Sequence, residues 1–387
     1  MACSSVLEVP AHLSSGAKKV LIEESSPAPS RFISSLDGLR AISIALVVIA
    51  HARPGMPIWL GSAPGMFFLG NGELGVSVFF VISGFLITKL LLKERIERDD
   101  INLKRFYFRR ALRIFPAFYA YLLILGILWS GGLISEEPQT FLRAGTYSWN
   151  YYFGGSAFWF LGHTWSLSLE EQFYLLWPAC LVLLSPRRCR DFALAVIALS
   201  PASRVATYYL LPHWRGHLGM MLHTRLDTIM FGCWLALVWD NEHFLSAAQR
   251  LVRPWLVALA SLFLIFVDPL LLGRFRGYYS LPVGITLQAV CISLVLIYVV
   301  RQPGTSSGRF LNLPAMRHIG VISYSLYLWQ QLFTPPGHGL FPLNILAAFA
   351  CAELSYRFLE RPILQLRDAL ETKMSLRSAP NTATAVF

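Results

Sequence analysis

The sequence predicts an all-α, polytopic membrane protein of about ten transmembrane helices with both termini in the cytoplasm. Three observations carry that expectation. The chain is 55% hydrophobic but only 14% charged over 387 residues, with a mean hydropathy of +0.52; soluble domains usually carry about a quarter charged residues. Apolar stretches of membrane-spanning length recur from Leu39 almost to Phe358. The Lys and Arg residues gather in alternate connections between those stretches.

The expected spans lie near residues 38–55, 73–92, 114–133, 168–185, 191–211, 223–240, 254–272, 281–300, 319–334 and 339–358. After the second span come Lys93, Arg95, Arg98, Lys104, Arg105, Arg109, Arg110 and Arg113. Arg187, Arg188 and Arg190 follow the fourth, Arg250 and Arg253 the sixth, and Arg301, Arg309 and Arg317 the eighth. The odd-numbered loops are poorer in Lys and Arg, apart from Arg274 and Arg276 in the seventh. Cytoplasmic loops retain the positive charge, which sets the orientation. The formal net charge of +11 is therefore a topology signal, and no nucleic-acid partner is expected.

Residues 1–33 are polar, rich in Ser and Pro, and lack the apolar run of a signal peptide. They read as a disordered cytoplasmic tail. Residues 34–362 form the membrane domain, and 363–387 a cytoplasmic C-terminal tail. The six cysteines show neither a CxxC pair nor metal-ligand spacing, so no metal site is expected.

The first span holds the most informative pair. Arg40 and His51 bracket the apolar run AISIALVVIA. On an α-helix, their spacing places both on one face, within roughly 20° and about 16 Å apart along the axis. Asp37 falls within roughly 40° of His51 on that face. Polar groups inside a span are costly without a function, and imidazole titrates near neutral pH. A neutral imidazole at depth can take a proton from a hydroxyl and so make it a nucleophile. No GxSxG-type context points to a covalent enzyme intermediate.

Arg109, Arg110 and Arg113 form a second group, with Arg113 one helical turn from both others. Phosphate binding is one reading, because arginine holds phosphates bidentately; ordinary positive-inside topology is the other. The block WSLSLEEQFYLLWP (165–178) opens the fourth span with Glu170 and Glu171. They either complement the helix N-terminus or orient His51 from across the bundle, and the sequence does not choose between the two residues. Arg225, Asp227 and Glu353 also lie within expected spans and require partners or a cavity. Gly84 fits close helix packing. The third loop, 134–167, is rich in aromatics and reads as a lid or re-entrant segment on the outer side.

On these residues the chain resembles the acyltransferase-3 family of integral membrane O-acyltransferases. The matching blocks are LDGLRAISIALVVIAH (36–51), GVSVFFVISGFLIT (75–88), RFYFRRALRIFP (105–116), WSLSLEEQFYLLWP (165–178), ISYSLYLWQ (322–330) and YRFLERP (356–362), in family order. The resemblance implies a membrane-bound enzyme moving an acyl group, commonly acetyl, from cytoplasmic acyl-CoA to a hydroxyl of a carbohydrate or glycosylated small molecule. It implies that His51 and Arg40 serve transfer, that Arg109, Arg110 and Arg113 match the family's arginine cluster, and that Glu170 and Glu171 belong to the site. Acyl-CoA enters as donor substrate, with no permanently bound cofactor. The extracytoplasmic SGNH hydrolase-like domain of some members is not expected here, and the implied location is the bacterial inner membrane. A transporter of a polysaccharide precursor or small metabolite is the alternative, since buried Arg, His and Glu also suit a proton relay.

Overall fold

The computed structural model describes residues 29–152, 154, 159–337 and 340–378. Every regular element among them is helical. Twelve helices carry the architecture. The first four are α1 (Pro29–Ala52), α2 (Gly72–Arg98), α3 (Leu103–Ser130) and α4 (Thr164–Leu183). Next come α5 (Pro186–Leu210), α6 (Leu222–Val238), α7 (Pro254–Phe275) and α8 (Gly277–Arg301). The last four are α9 (Pro314–Val321), α10 (Ser323–Phe333), α11 (Leu343–Ser355) and α12 (Arg361–Ser378). Residues 1–28 of the expected disordered tail lie outside the described residues, and α1 already begins at Pro29.

Six helices among the described residues are long and apolar enough to cross a membrane: Ser35–Gly55, Pro64–Arg98, Leu103–Ser130, Pro186–Leu210, Pro254–Phe275 and Gly277–Arg301. The other four expected spans also fall on helices, and each has a physical reason to stand apart. Helix α4 carries Glu170 and Glu171, and α6 is a 17-residue helix holding Arg225 and Asp227. The 319–334 stretch is divided at Ile322 into α9 and α10, and α11 has 13 residues before a π-turn joins it to α12.

The seventh connection shrinks to a single residue. Arg276, at φ 47°, reverses the chain between α7 and α8. This explains why its arginines break the charge alternation: Arg274 belongs to the last turn of α7.

Helices α2 and α6 cross at mutually facing glycines. A Cβ on Gly84 would collide with the Ile229 carbonyl, and one on Gly232 with the Val81 carbonyl, so only glycine permits this backbone approach. Gly320 of α9 meets the Asp37 carbonyl of α1 in the same way. The main core joins α1, α2, α3, α4 and α10 through Ile44, Phe80, Phe118, Trp177 and Leu326. Helix α1 packs on α2, α9 and α10, which places the Arg40–His51 face against the rest of the site.

The long connection between α3 and α4 folds back into the bundle. Tyr147 stacks on Phe118 (4.8 Å between ring centroids) and Phe115 (5.8 Å), and Tyr119 donates to the Gly145 carbonyl. Phe115 is about 22 Å along the axis from the end of α3 at Ser130. Gln172 of α4 secures the same turn, donating to the Tyr147 carbonyl (2.8 Å) and Asn150 Oδ1 (2.9 Å). Irregular backbone at such depth is tolerated where protein satisfies it. Phe153 and Phe158 lie outside the described residues.

Candidate active site

The site begins at the basic end of α1. Arg40 is half-buried and pairs with Asp37, one turn earlier, at 3.9 Å. Arg113 of α3 lies within electrostatic range of both, and Glu170 of α4 within range of Arg40. Glu170 Oε1 accepts a hydrogen bond from Ser83 of α2 at 2.7 Å, and Tyr174 donates to the same Ser83 hydroxyl at 3.2 Å. Arg110 lies over the Tyr174 ring at 4.9 Å and within range of both glutamates. The helical spacing that puts Arg110 and Arg113 on one side of α3 thus turns both toward α4 and α1.

Trp177 of α4 donates to Thr88 of α2 at 2.8 Å, fixing the two helices next to the glutamates. Ser325 of α10 donates to Glu360, which lies within range of Arg113. The six sequence blocks therefore meet in space, although up to three hundred residues separate them. A cavity of about 330 Å³ opens between α3, α4 and the re-entrant turn, lined by Tyr107, Arg110, Phe115, Tyr147, Glu171 and Gln172, among others. Glu171 faces that cavity, while Glu170 is held on Ser83; the two adjacent carboxylates occupy different surroundings. Arg109 is half-buried on the same helix and is not among the cavity-lining residues.

His51 lies about 16 Å further along α1. Its ring meets Trp159 edge-on at 5.9 Å, and the Gln330 side chain of α10 interacts with it. His163 lies within electrostatic range. Nδ1 of His51 is buried without a protein partner among the described residues. Neither glutamate fills that position: Glu170 belongs with Ser83 and the arginines, and Gln330 is the group beside the imidazole.

Trp159 is itself fixed, donating to the Gln331 carbonyl at 3.1 Å while Gln331 donates back to the Trp159 carbonyl at 2.8 Å. Sequence reasoning missed Ser83, Trp159, Gln330 and Glu360. Ser83, Gln330 and Glu360 lie inside the matching blocks, so block membership was the available signal.

The remaining intramembrane charges find partners elsewhere. Arg225 binds Glu73 and Ser77, and Asp227 binds Arg204. Glu353 pairs with His318 at 2.9 Å and Arg357 at 2.5 Å.

The family model for the acyltransferase domain (Acyl_transf_3) matches residues 33–356. Among curated relatives, the Staphylococcus aureus (strain COL) protein named "Putative O-acetyltransferase SACOL0978" is 31% identical over 360 residues. O-acetyltransferase OatA of S. aureus (strain NCTC 8325 / PS 47) is 29% identical over 367 residues. Both alignments cover 86% of this chain and 57% of the relative, so the chain spans little more than half the length of these proteins. No solved structure matches it. A family match over residues 33–356, within which five of the six motif blocks fall and the sixth begins, shows that the chain belongs to the acyltransferase-3 family.

Proposed function

We propose that this protein is a bacterial inner-membrane O-acyltransferase that moves an acetyl group from cytoplasmic acetyl-CoA to a hydroxyl of a glycan. Exopolysaccharide, O-antigen and glycosylated small molecules are the acceptor chemistries in view. The observation that carries the reading is the pair of polar groups at the two ends of one α1 face, Arg40 with Arg110 and Arg113 near one end and His51 about 16 Å along the axis. The O-acetyltransferase names of the relatives favour acetyl as the group moved and oxygen as its acceptor.

In this reading the CoA phosphates rest on Arg110 and Arg113, with Arg109 extending the basic surface beside them. Guanidinium groups bind phosphate bidentately, and the positive-inside loops put this end in the cytoplasm. Arg40 neutralises the incoming anion, and Glu170 holds the Arg40–Arg110 side in register through Ser83. The pantetheine arm spans the interval to His51. There the acceptor hydroxyl oxygen attacks the thioester carbonyl carbon while the imidazole takes its proton. The C–S bond then breaks, and the proton passes to the departing CoA thiolate. Placing the base on a helix packed on both flanks keeps it aligned, and general-base assistance of this kind is worth roughly 10²–10⁴-fold. The orientation sets both termini in the cytoplasm and completes ten spans with α4, α6, the α9–α10 pair and α11.

Purified protein in nanodiscs, given radiolabelled acetyl-CoA and glycan acceptors, tests the reading. The expected result is CoA thiol released in step with acetyl ester formed. Failure to bind acetyl-CoA, with no thiol released for any acceptor pool, would overturn it. Comparison of surface-glycan acetyl esters by NMR, with and without the gene, then identifies the acceptor.

A further inference from the structure

His163 is a buried imidazole that the transfer scheme above leaves unused. It immediately precedes α4 and is 3% exposed, and both of its ring nitrogens lack a protein partner among the described residues. Its walls are Tyr121 (5.7 Å between centroids, edge-on) and Tyr327 (5.3 Å). Neither phenol serves the ring. Tyr121 donates to the Phe160 carbonyl at 2.6 Å, and Tyr327 to the backbone carbonyl of His163 itself at 2.9 Å.

The same neighbourhood holds two more unsatisfied groups. The Trp329 indole N–H is buried and without a protein partner among the described residues, and its ring meets Tyr121 edge-on at 5.3 Å. His51 Nδ1 is the other, with His51 in electrostatic range of His163. An unpaired buried polar atom costs about 1–3 kcal/mol, and native proteins keep few of them. Three side chains in one place, one able to accept a proton and two able to donate hydrogen bonds, match the demands of acyl transfer.

We propose that His163 is a catalytic residue of this transfer. It donates a hydrogen bond to the thioester carbonyl oxygen as that oxygen becomes negative, and the Trp329 N–H, which shares the Tyr121 wall, is the second donor. The acyl group then sits between His51 and His163. One imidazole removes the hydroxyl proton, and the other stabilises charge on the oxygen across the same carbon. The proton balance of the transfer is unchanged, because His163 lends its N–H without releasing it. Burial lowers the His163 pKa to about 3, so the ring is neutral at physiological pH and retains one N–H for the task. Fixed donors of this kind, aimed where charge develops, commonly contribute about 10²–10³-fold each.

The assignment rests on the proposed acyl-CoA chemistry, and its test separates the two. Thiol release by His163→Ala in nanodiscs should fall about 10²-fold in kcat with only a small rise in KM for acetyl-CoA, the signature of a hydrogen bond that strengthens in the transition state. His163→Gln retains an N–H donor and should recover part of the rate, whereas His163→Leu should not. A second readout uses the His51→Ala background with ¹³C-carbonyl acetyl-CoA bound. The carbonyl stretch should lie below its solution frequency and return toward it in His51→Ala/His163→Gln and further in His51→Ala/His163→Leu. Full activity in His163→Leu, or a carbonyl stretch indifferent to residue 163, overturns the assignment. Should His163→Ala and His163→Leu fail to fold, His163→Gln alone decides by the carbonyl frequency. Full activity of His51→Ala would instead overturn the base and leave the carbonyl measurement to judge His163 separately.

Discussion

Two buried polar regions lie within this bundle, and they are finished to different degrees. Between α5, α6 and α8, Arg204 and Asp227 are both fully buried and joined at 2.9 Å. Arg204 also donates to the Leu281 carbonyl, the Thr224 carbonyl and Thr286, and Thr286 donates to Asp227 at 2.6 Å. Arg225 beside them reaches Glu73 and Ser77 at 2.7 Å each. The charges there are met by protein partners, although Arg225 Nε and Thr228 Oγ1 have none among the described residues. Around His51 the side chains are imidazole, indole, amide and phenol groups, yet among the described residues His51 Nδ1, both His163 nitrogens and the Trp329 N–H have no protein partner. Satisfied buried charge holds helices together, whereas the unsatisfied atoms around His51 are the groups that the proposed transfer uses. The formal charge of a buried residue is therefore a poor guide to whether it acts on substrate.

Breaking the first region should harm the fold more than the chemistry. Asp227→Ala strands the Arg204 guanidinium and should destabilise the protein by about 3–5 kcal/mol. Thermal unfolding and gel filtration in detergent check this, and an unchanged melting temperature would erase the contrast. Arg113→Ala acts beside Arg40, at the opposite end of the α1 face from His51. Losing a charge-assisted bond of about 1.5–3 kcal/mol should raise KM for acetyl-CoA roughly 10- to 100-fold while the protein stays folded. Steady-state kinetics over a donor series reads it, and the effect should shrink for an acyl-pantetheine donor that lacks the nucleotide phosphates.

The smallest effect concerns the re-entrant connection. Glu136 accepts hydrogen bonds from the Phe160 N–H (2.6 Å) and the Thr140 hydroxyl (3.1 Å), fastening the two ends of that connection. Burial raises its pKa to about 7 against those bonds. The folded state then binds a proton that the unfolded chain has released, so this contribution is complete below about pH 4.5 and lost as pH rises through about 7. Melting temperature should fall by a few degrees between pH 5 and pH 8, and Glu136→Gln should flatten that slope. Equal slopes in both proteins would remove Glu136 from the account.

Much of this was legible in the sequence. Apolar run lengths located the helices, and the three-turn interval between Arg40 and His51 placed both on one face of α1. Gly84 was recognisable as a contact residue, although its partner Gly232 was not. Three-dimensional partners were harder to read. Nothing local reveals that Gln330 meets His51 from α10, that Glu170 turns to Ser83 rather than to His51, or that the third loop descends to Phe115. Those contacts join segments far apart in the chain, and periodicity reports only what lies on one helix. The division of α9 from α10 at Ile322 also escaped an apolar run that reads as continuous.

In the proposed mechanism the unsatisfied region around His51 performs the transfer. The most direct measurement is CoA thiol release by His51→Ala in nanodiscs, with melting temperature recorded on the same preparation. A loss of roughly 10²–10⁴-fold at an unchanged melting temperature is expected. Full transfer activity in a folded His51→Ala protein would contradict it.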